Sequence, residues 1–216
     1  MFYRHQCLCL WNSKKTGYES YHELAYLHPN HFTPDRSIVA KYIQEENYII
    51  LRFAKLNAHH DEGRKGIDDA LALKLIALLS PYGRVYITSE RPLSNELEPY
   101  RISINPLDIH HAMAFAKLYI GDSQTMAAEA AVIGTPSIRF NDFVGEINYL
   151  EELEHNYQLT FGIRTTDTES LFSKTKELIE TPNLRDLFQA RKEKMLKEKT
   201  DLSLLMKDLF LKYCSA

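Results

Sequence analysis

Residues 120–140, IGDSQTMAAEAAVIGTPSIRF, join an apolar run to a polar Gly121-Asp122-Ser123 corner and an alanine-rich stretch broken by one carboxylate, Glu129. Asp122 or Ser123 is suited to cap the helix that starts here. The first amides of that helix, near Gln124, Thr125 and Met126, lack partners inside it. With the helix dipole they form an anion site fit for a phosphate or pyrophosphate. Ser123 and Thr125 add hydroxyl donors, and capping and anion binding can hold together. Glu129 follows Thr125 by four residues, which is about one turn along on the same face. A carboxylate there can accept from two vicinal hydroxyls, as a ribose offers. The competing reading is an exposed helix glutamate, or one paired with a Lys or Arg. The flanking alanines argue for close packing, which leaves little room for an idle charge.

A second polar segment, KLNAHHDEGRKG (55–66), holds His59, His60, Asp61 and Glu62, and His110-His111 supplies two further imidazoles. Metal ligands need converging spacings such as i, i+4 on a helix, whereas adjacent histidines diverge. No metal and no cofactor are expected. His59 and His60 are better suited to donate to a phosphate or to move a proton. Arg64 and Lys65 add positive charge or are merely solvated. Arg52 lies inside an apolar run, so it needs either a structural ion pair or a ligand.

These residues need a scaffold, and from Tyr48 onward strand-like and helix-like runs alternate. YIILRFA (48–54), RVYITS (84–89), RISI (101–104), LYIGD (118–122), PSIRF (136–140) and LTFGI (159–163) read as strands. Between them, IDDALALKLIALL places Ile67, Leu71, Leu75, Leu78 and Leu79 on one helical face. DIHHAMAFAK, TMAAEAAVIG and EINYLEELEHNY also read as helices, and the remainder is helical with a break and new cap at Thr200-Asp201. The pattern predicts an α/β domain: a Rossmann-like, doubly wound parallel sheet of about six strands, covered on both faces. In such a sheet, ligands bind outside the carboxyl ends of the strands where strand order reverses. With the order 3-2-1-4-5-6, the loops after the first and fourth strands flank that crevice. Those are 55–66 and 121–125, the two polar segments above.

The chain's 216 residues, 44% hydrophobic and 25% charged, suffice for one large core. A net charge of −3, with no basic stripe carrying interleaved aromatics, argues against nucleic acid as partner. No apolar stretch approaches the ~20 residues of a transmembrane span. MFYRHQCLCLW is too short and polar-flanked for a secretory signal. Cys7, Cys9 and Cys214 form no disulfide or metal framework, which points to a reducing compartment, with cytoplasm as the expectation.

The segment strand–Asp122-Ser123–Glu129-Ala130–Gly134-x-Pro136 resembles the nucleotide-binding segment of the C-terminal lobe in GT-B fold proteins. The non-hydrolysing UDP-N-acetylglucosamine 2-epimerases are similar, and GT-B glycosyltransferases share the lobe. The resemblance implies that Ser123 and the amides at 124–125 meet a diphosphate and that Glu129 meets the ribose. Gln124 and Thr125 stand where those epimerases carry glycines. Asn57-Ala58-His59-His60-Asp61 is similar in position to the epimerase histidine loop, and Ile104-Asn105-Pro106 falls where such lobes touch the base through backbone. More specifically, HELAYLHP, HHDEG, YITSE, IGDSQTMAAEAA and FNDFVGEINYLEELE resemble a prokaryotic family within the GT-B group that brings no established reaction.

The resemblance implies an N-terminal lobe that this chain lacks. Residues 1–47 are then an interlobe linker or remnant, 48–182 the nucleotide-binding lobe, and 183–216 helices that cross back to the missing lobe. Leu204, Leu205, Leu209 and Phe210 are expected to be partly exposed. The expected function is a nucleotide-sugar-binding lobe, with UDP-sugars foremost, of a glycosyltransferase or epimerase in cell-surface polysaccharide synthesis. The alternative is a non-catalytic module or truncated fragment that needs a partner chain or a second copy. The nucleotide contacts would be Asp122, Ser123, Gln124, Thr125, Glu129, Asn105 and Arg52, with His59 and His60 as catalytic candidates.

Overall fold

Four apolar residues, Tyr48 to Leu51, open the first strand and are fully buried, as continuous apolar runs become when both sheet faces are covered. A computed structural model describes residues 17–55 and 66–214. Its strands are β1 (Tyr48–Phe53), β2 (Arg84–Ser89), β3 (Leu118–Gly121), β4 (Ser137–Phe140) and β5 (Thr160–Ile163). They form one sheet in the order β2-β1-β3-β4-β5, and every pairing is parallel. The helices are α1 (Leu24–Leu27), α2 (Arg36–Val39), α3 (Asp69–Leu79), α4 (Ile109–Phe115), α5 (Gln124–Ile133), α6 (Asn148–His155), α7 (Thr168–Glu180), α8 (Leu184–Glu198) and α9 (Leu202–Cys214). This is a Rossmann-like α/β lobe. Among the described residues no helix is long and apolar enough to cross a membrane.

One expected strand is absent from the sheet. RISI forms only an isolated bridge, Ile87 to Arg101, with Ile102 N–H donating to the Ile87 carbonyl at 2.9 Å. The sheet therefore has five strands, and β1 and β3 are direct neighbours. The chain leaves β1 leftward through α3 to β2 and leaves β3 rightward through α5 to β4. Right-handed crossovers then place α3 and α5 on opposite faces and open the crevice between the β1 and β3 ends.

Alanine explains how close α5 comes to the sheet. Ala127, Ala128, Ala130 and Ala131 are fully buried, and α5 packs on β3, β4 and β5. Gly134 ends it with a φ of 88°, the left-handed turn that costs other residues strain, and its N–H caps carbonyls of the last turn. On α3 the buried set is Leu71, Ala72, Leu75, Ile76 and Leu79, so Leu78 turns out only half-buried. Residues 17–47 belong to the same core: Tyr21, Leu24, Leu27, Val39 and Ile43 are buried, with α1 against α5 and α9 and α2 against α4. At the break between α8 and α9, Asp201 Oδ1 accepts from Leu204 N–H at 3.2 Å, as expected of a new cap.

Candidate functional site

Register sets the first layer of the site. Thr88, Arg52, Gly121, Arg139 and Gly162 stand side by side across β2, β1, β3, β4 and β5, so their Cα–Cβ directions share one face. Arg52 Nη2 pairs with Glu90 Oε1, while Glu90 Oε2 accepts from Lys55 N–H at 3.0 Å. Arg52 Nε and Thr88 Oγ1 are fully buried and have no hydrogen-bond partner among the described residues. The described residues leave both of these polar atoms unsatisfied.

Above that layer lies a cavity of ≈ 450 Å³. Its polar wall is Arg52, Thr88, Ser89, Arg101, Ser103, His110 and Glu129; its apolar wall is Ile102, Ile104, Pro106, Ile109 and Met126. The size falls within the range of small-ligand pockets, roughly 300–1,000 Å³. The RISI segment, expected as a strand, supplies four of these residues. Its alternation of polar and apolar side chains forms a cavity wall.

Glu129 is 8% exposed. Its Oε1 accepts the Tyr26 hydroxyl at 2.8 Å and lies 3.2 Å from His110 Nε2. Burial and the bond to Glu129 push the Tyr26 hydroxyl pKa well up, so it remains a donor throughout the working pH range. The His110 ring sits between Tyr26 and Phe32, with centroids 5.8 and 6.2 Å away. Glu129 shares the cavity wall with Met126, three residues back, rather than with Thr125, which is exposed.

The start of α5 is built as its sequence suggests. Ser123 Oγ accepts from Met126 N–H at 3.4 Å, and the amides of Gln124 and Thr125 have no partner among the described residues. The Gln124 side chain is drawn aside, its Nε2 donating to Asn141 Oδ1 at 2.9 Å in the loop after β4. Asp122 turns the other way. Its Oδ1 accepts from Ala54 N–H at 2.6 Å and its Oδ2 from Ile67 N–H at 3.4 Å, tying both ends of the 55–66 loop to β3. Gly66 is needed there, because a Cβ would stand 2.4 Å from Asp122 Oδ2. Burial raises the Asp122 carboxyl pKa to about 6, against the amides that favour its charged form.

The structure thus gathers Arg52 and Glu129 at one cavity, with Ser123, Gln124 and Thr125 at the adjoining helix start. Asn105 is exposed beside the cavity and its Oδ1 accepts from Leu107 N–H at 3.0 Å, forming a local turn. His59 and His60 lie outside the described residues, as do Asp61, Glu62, Arg64 and Lys65. No cluster of metal-ligating side chains occurs among the described residues. Sequence reasoning missed Tyr26, Thr88, Ser89, Arg101 and Ser103, and weighed His110 only as a metal ligand. Tyr26 reaches Glu129 across 103 positions, a distance that spacing arguments cannot bridge.

No family model matches the chain, and no curated protein matches it. Solved structures do. The wall teichoic acid polymerase TagF aligns over 90% of this chain and 51% of its own, with a TM-score of 0.52 and 13% identity. Os79 from O. sativa, in complex with UDP and deoxynivalenol-3-glucoside, aligns over 80% and 41%, with a TM-score of 0.50 and 12% identity. The chain spans about half the length of the solved structures it matches. At such identity the likeness is one of fold, that of a Rossmann-like lobe of GT-B type.

Proposed function

We propose that this chain is the nucleotide-sugar-binding lobe of a GT-B-type enzyme, with the nucleoside in the cavity and the diphosphate at the start of α5. The observation that carries this reading is Glu129: a buried carboxylate at the wall of a nucleoside-sized cavity, about one helical turn past two amides that have no partner among the described residues. A ribose meeting Glu129 puts the base against Ile102, Ile104 and Pro106, where apolar side chains and backbone can hold an aromatic ring. The diphosphate then extends toward Ser123 and the Gln124 and Thr125 amides, whose partial positive charge suits it. In a glycosyl transfer the same amides stabilise the departing diphosphate. The glycines usual at 124 and 125 in the epimerases leave that approach open; here the tie of Gln124 to Asn141 draws one side chain toward the β4 loop.

UDP-sugars are the first substrates to test, and cell-surface polysaccharide synthesis is the biological setting we favour. The fold likeness to TagF supports no finer choice than a transferase-like lobe. Within residues 17–47, α1 packs against both α5 and α9, and α9 presents Leu204, Met206, Phe210 and Leu211 to solvent. That apolar face suits a second lobe, on this polypeptide or another, which would supply the acceptor site.

A thermal-shift panel of UDP-, GDP- and CMP-sugars tests the proposal on wild type and Glu129→Ala. The expected result is stabilisation of wild type by one nucleotide class and its loss in the variant. Stabilisation that survives the substitution unchanged removes Glu129 from the site. A panel in which no nucleotide raises the melting temperature refutes the nucleotide reading.

A further inference from the structure

His28 directly follows α1, and its partly buried ring faces Asp201, the residue before α9. The turn that holds the ring is set by sequence. Pro29 supplies a fixed φ, and the His28 carbonyl accepts from His31 N–H at 2.8 Å and Phe32 N–H at 3.0 Å. Inside that turn Asn30 N–H donates to His28 Nδ1 at 3.2 Å. A ring nitrogen that accepts carries no proton, so the His28 proton sits on Nε2 and the ring is neutral.

Asp201 fastens this turn to α9. Its Oδ1 accepts from His31 Nε2 at 2.9 Å and from Leu204 N–H at 3.2 Å, and its Oδ2 accepts from Asn30 Nδ2 at 2.9 Å. His28 Nδ1 stands 3.4 Å from Oδ2 with no proton to share. A proton and the Asn30 N–H compete for one lone pair on that nitrogen. Once protonated, Nδ1 faces the Asn30 amide donor against donor, and it can serve Oδ2 only by abandoning Asn30. The turn that aims Asn30 Nδ2 at Asp201 then loses its internal side-chain bond. The charged and titratable groups around the ring are Asp201, His31 in the same turn and Lys192 on α8. Burial pushes the His28 pKa below its usual 6.5; Asp201 opposes the fall, and His31 and Lys192 add to it. The neutral ring is therefore the better fit to the folded arrangement. Its contribution is complete above about pH 6.5 and is lost as pH falls through the folded value.

We infer that His28 is the proton-operated element of a latch between residues 28–31 and the start of α9, closed with a neutral ring and released when Nδ1 takes up a proton. The latch does not depend on the nucleotide reading of the cavity. Release frees Asn30 from Asp201 and loosens the Asp201 cap on Leu204, so α9 and the α1 helix packed against it open together. Hydrogen exchange read by mass spectrometry, at about pH 7.5 and about pH 5.5 and corrected for the intrinsic rate, follows α1 and α9 peptides. Wild type should lose about threefold or more of its protection there at the lower pH. His28→Asn keeps a side-chain oxygen that accepts from the amide two residues on, yet it cannot titrate, so the loss should vanish.

Asp122, Glu23 and the other histidines are the same in both proteins, so the difference between them belongs to His28. The nitrogen chemical shifts of the His28 ring in wild type give a second reading that holds even if the variant folds poorly: at the higher pH, Nδ1 should carry no proton. A protonated Nδ1 at that pH overturns the inference. So does equal protection of wild type at the two pH values, or the same loss in His28→Asn.

Discussion

Asp122 and Asp201 are both buried, yet they titrate in opposite directions. Burial lifts Asp122 from 3.8 to about 6. At Asp201 burial also raises the pKa, but bonds from His31, Asn30 and Leu204 N–H and the nearby His28 outweigh it and hold the value at about 2. A raised folded pKa contributes stability that is complete below the unfolded value and lost as pH rises through the folded one. Asp122 should therefore cost on the order of 3 kcal/mol between about pH 4 and pH 6. Glu23, pushed up by burial as well, acts with the same sign. A depressed pKa acts in reverse, so Asp201 contributes stability above about pH 4 that disappears as pH falls toward about 2. Denaturant unfolding at stepped pH should show both slopes. Asp122→Asn should flatten the upper one and Asp201→Asn the lower. At this scale the sequence was partly legible. Glu129 stood out because a charge among alanines is unusual, and the helix start could be read from Ser123. Tyr26 and His110 could not be matched to it, because their contacts depend on how α1 and α4 fold onto α5.

At the scale of elements, β4 carries the sharpest consequence. Arg139 is fully buried, and its Nη2 bonds Glu154 Oε2 at 2.6 Å and reaches Glu151 Oε1 at 3.4 Å. Removing Glu154 strands a buried guanidinium, so Glu154→Ala should destabilise the lobe by roughly 3–5 kcal/mol. Glu151→Ala, which gives up the longer contact, should cost clearly less. Chemical denaturation of the two variants provides the comparison, and equal losses would contradict it. Most elements were legible because strands buried on both faces read as apolar runs and α5 ends in Gly134-Thr135-Pro136. RISI was misread for a physical reason. Its alternation is real, but Ile102 and Ile104 turn to the cavity, and only one backbone bond joins the segment to β2. Periodicity reports which side is apolar, and it does not distinguish a sheet face from a pocket wall.

At the scale of the whole molecule, the segment 17–47 links the cavity to α9. Asp201 binds Asn30 at 2.9 Å and His31 at 2.9 Å, and Ser203 Oγ donates to the Ala25 carbonyl, so α1 is held between the site and the last helix. Beyond that anchor, α9 exposes Leu204, Met206, Phe210 and Leu211. Two of these, Leu204 and Phe210, were expected from sequence to be uncovered. The paired change Leu204→Glu and Phe210→Glu should lower apolar-dye binding and self-association while leaving nucleotide affinity unchanged. Reduced nucleotide affinity in that variant would mean that the α9 face is coupled to the cavity. The central claim is that Glu129 receives a nucleotide's ribose, and titration calorimetry of UDP against wild type and Glu129→Ala tests it most directly. The account predicts saturable one-to-one binding that the substitution weakens by about tenfold or more. Equal affinity in the two proteins, or no binding to wild type, would contradict it.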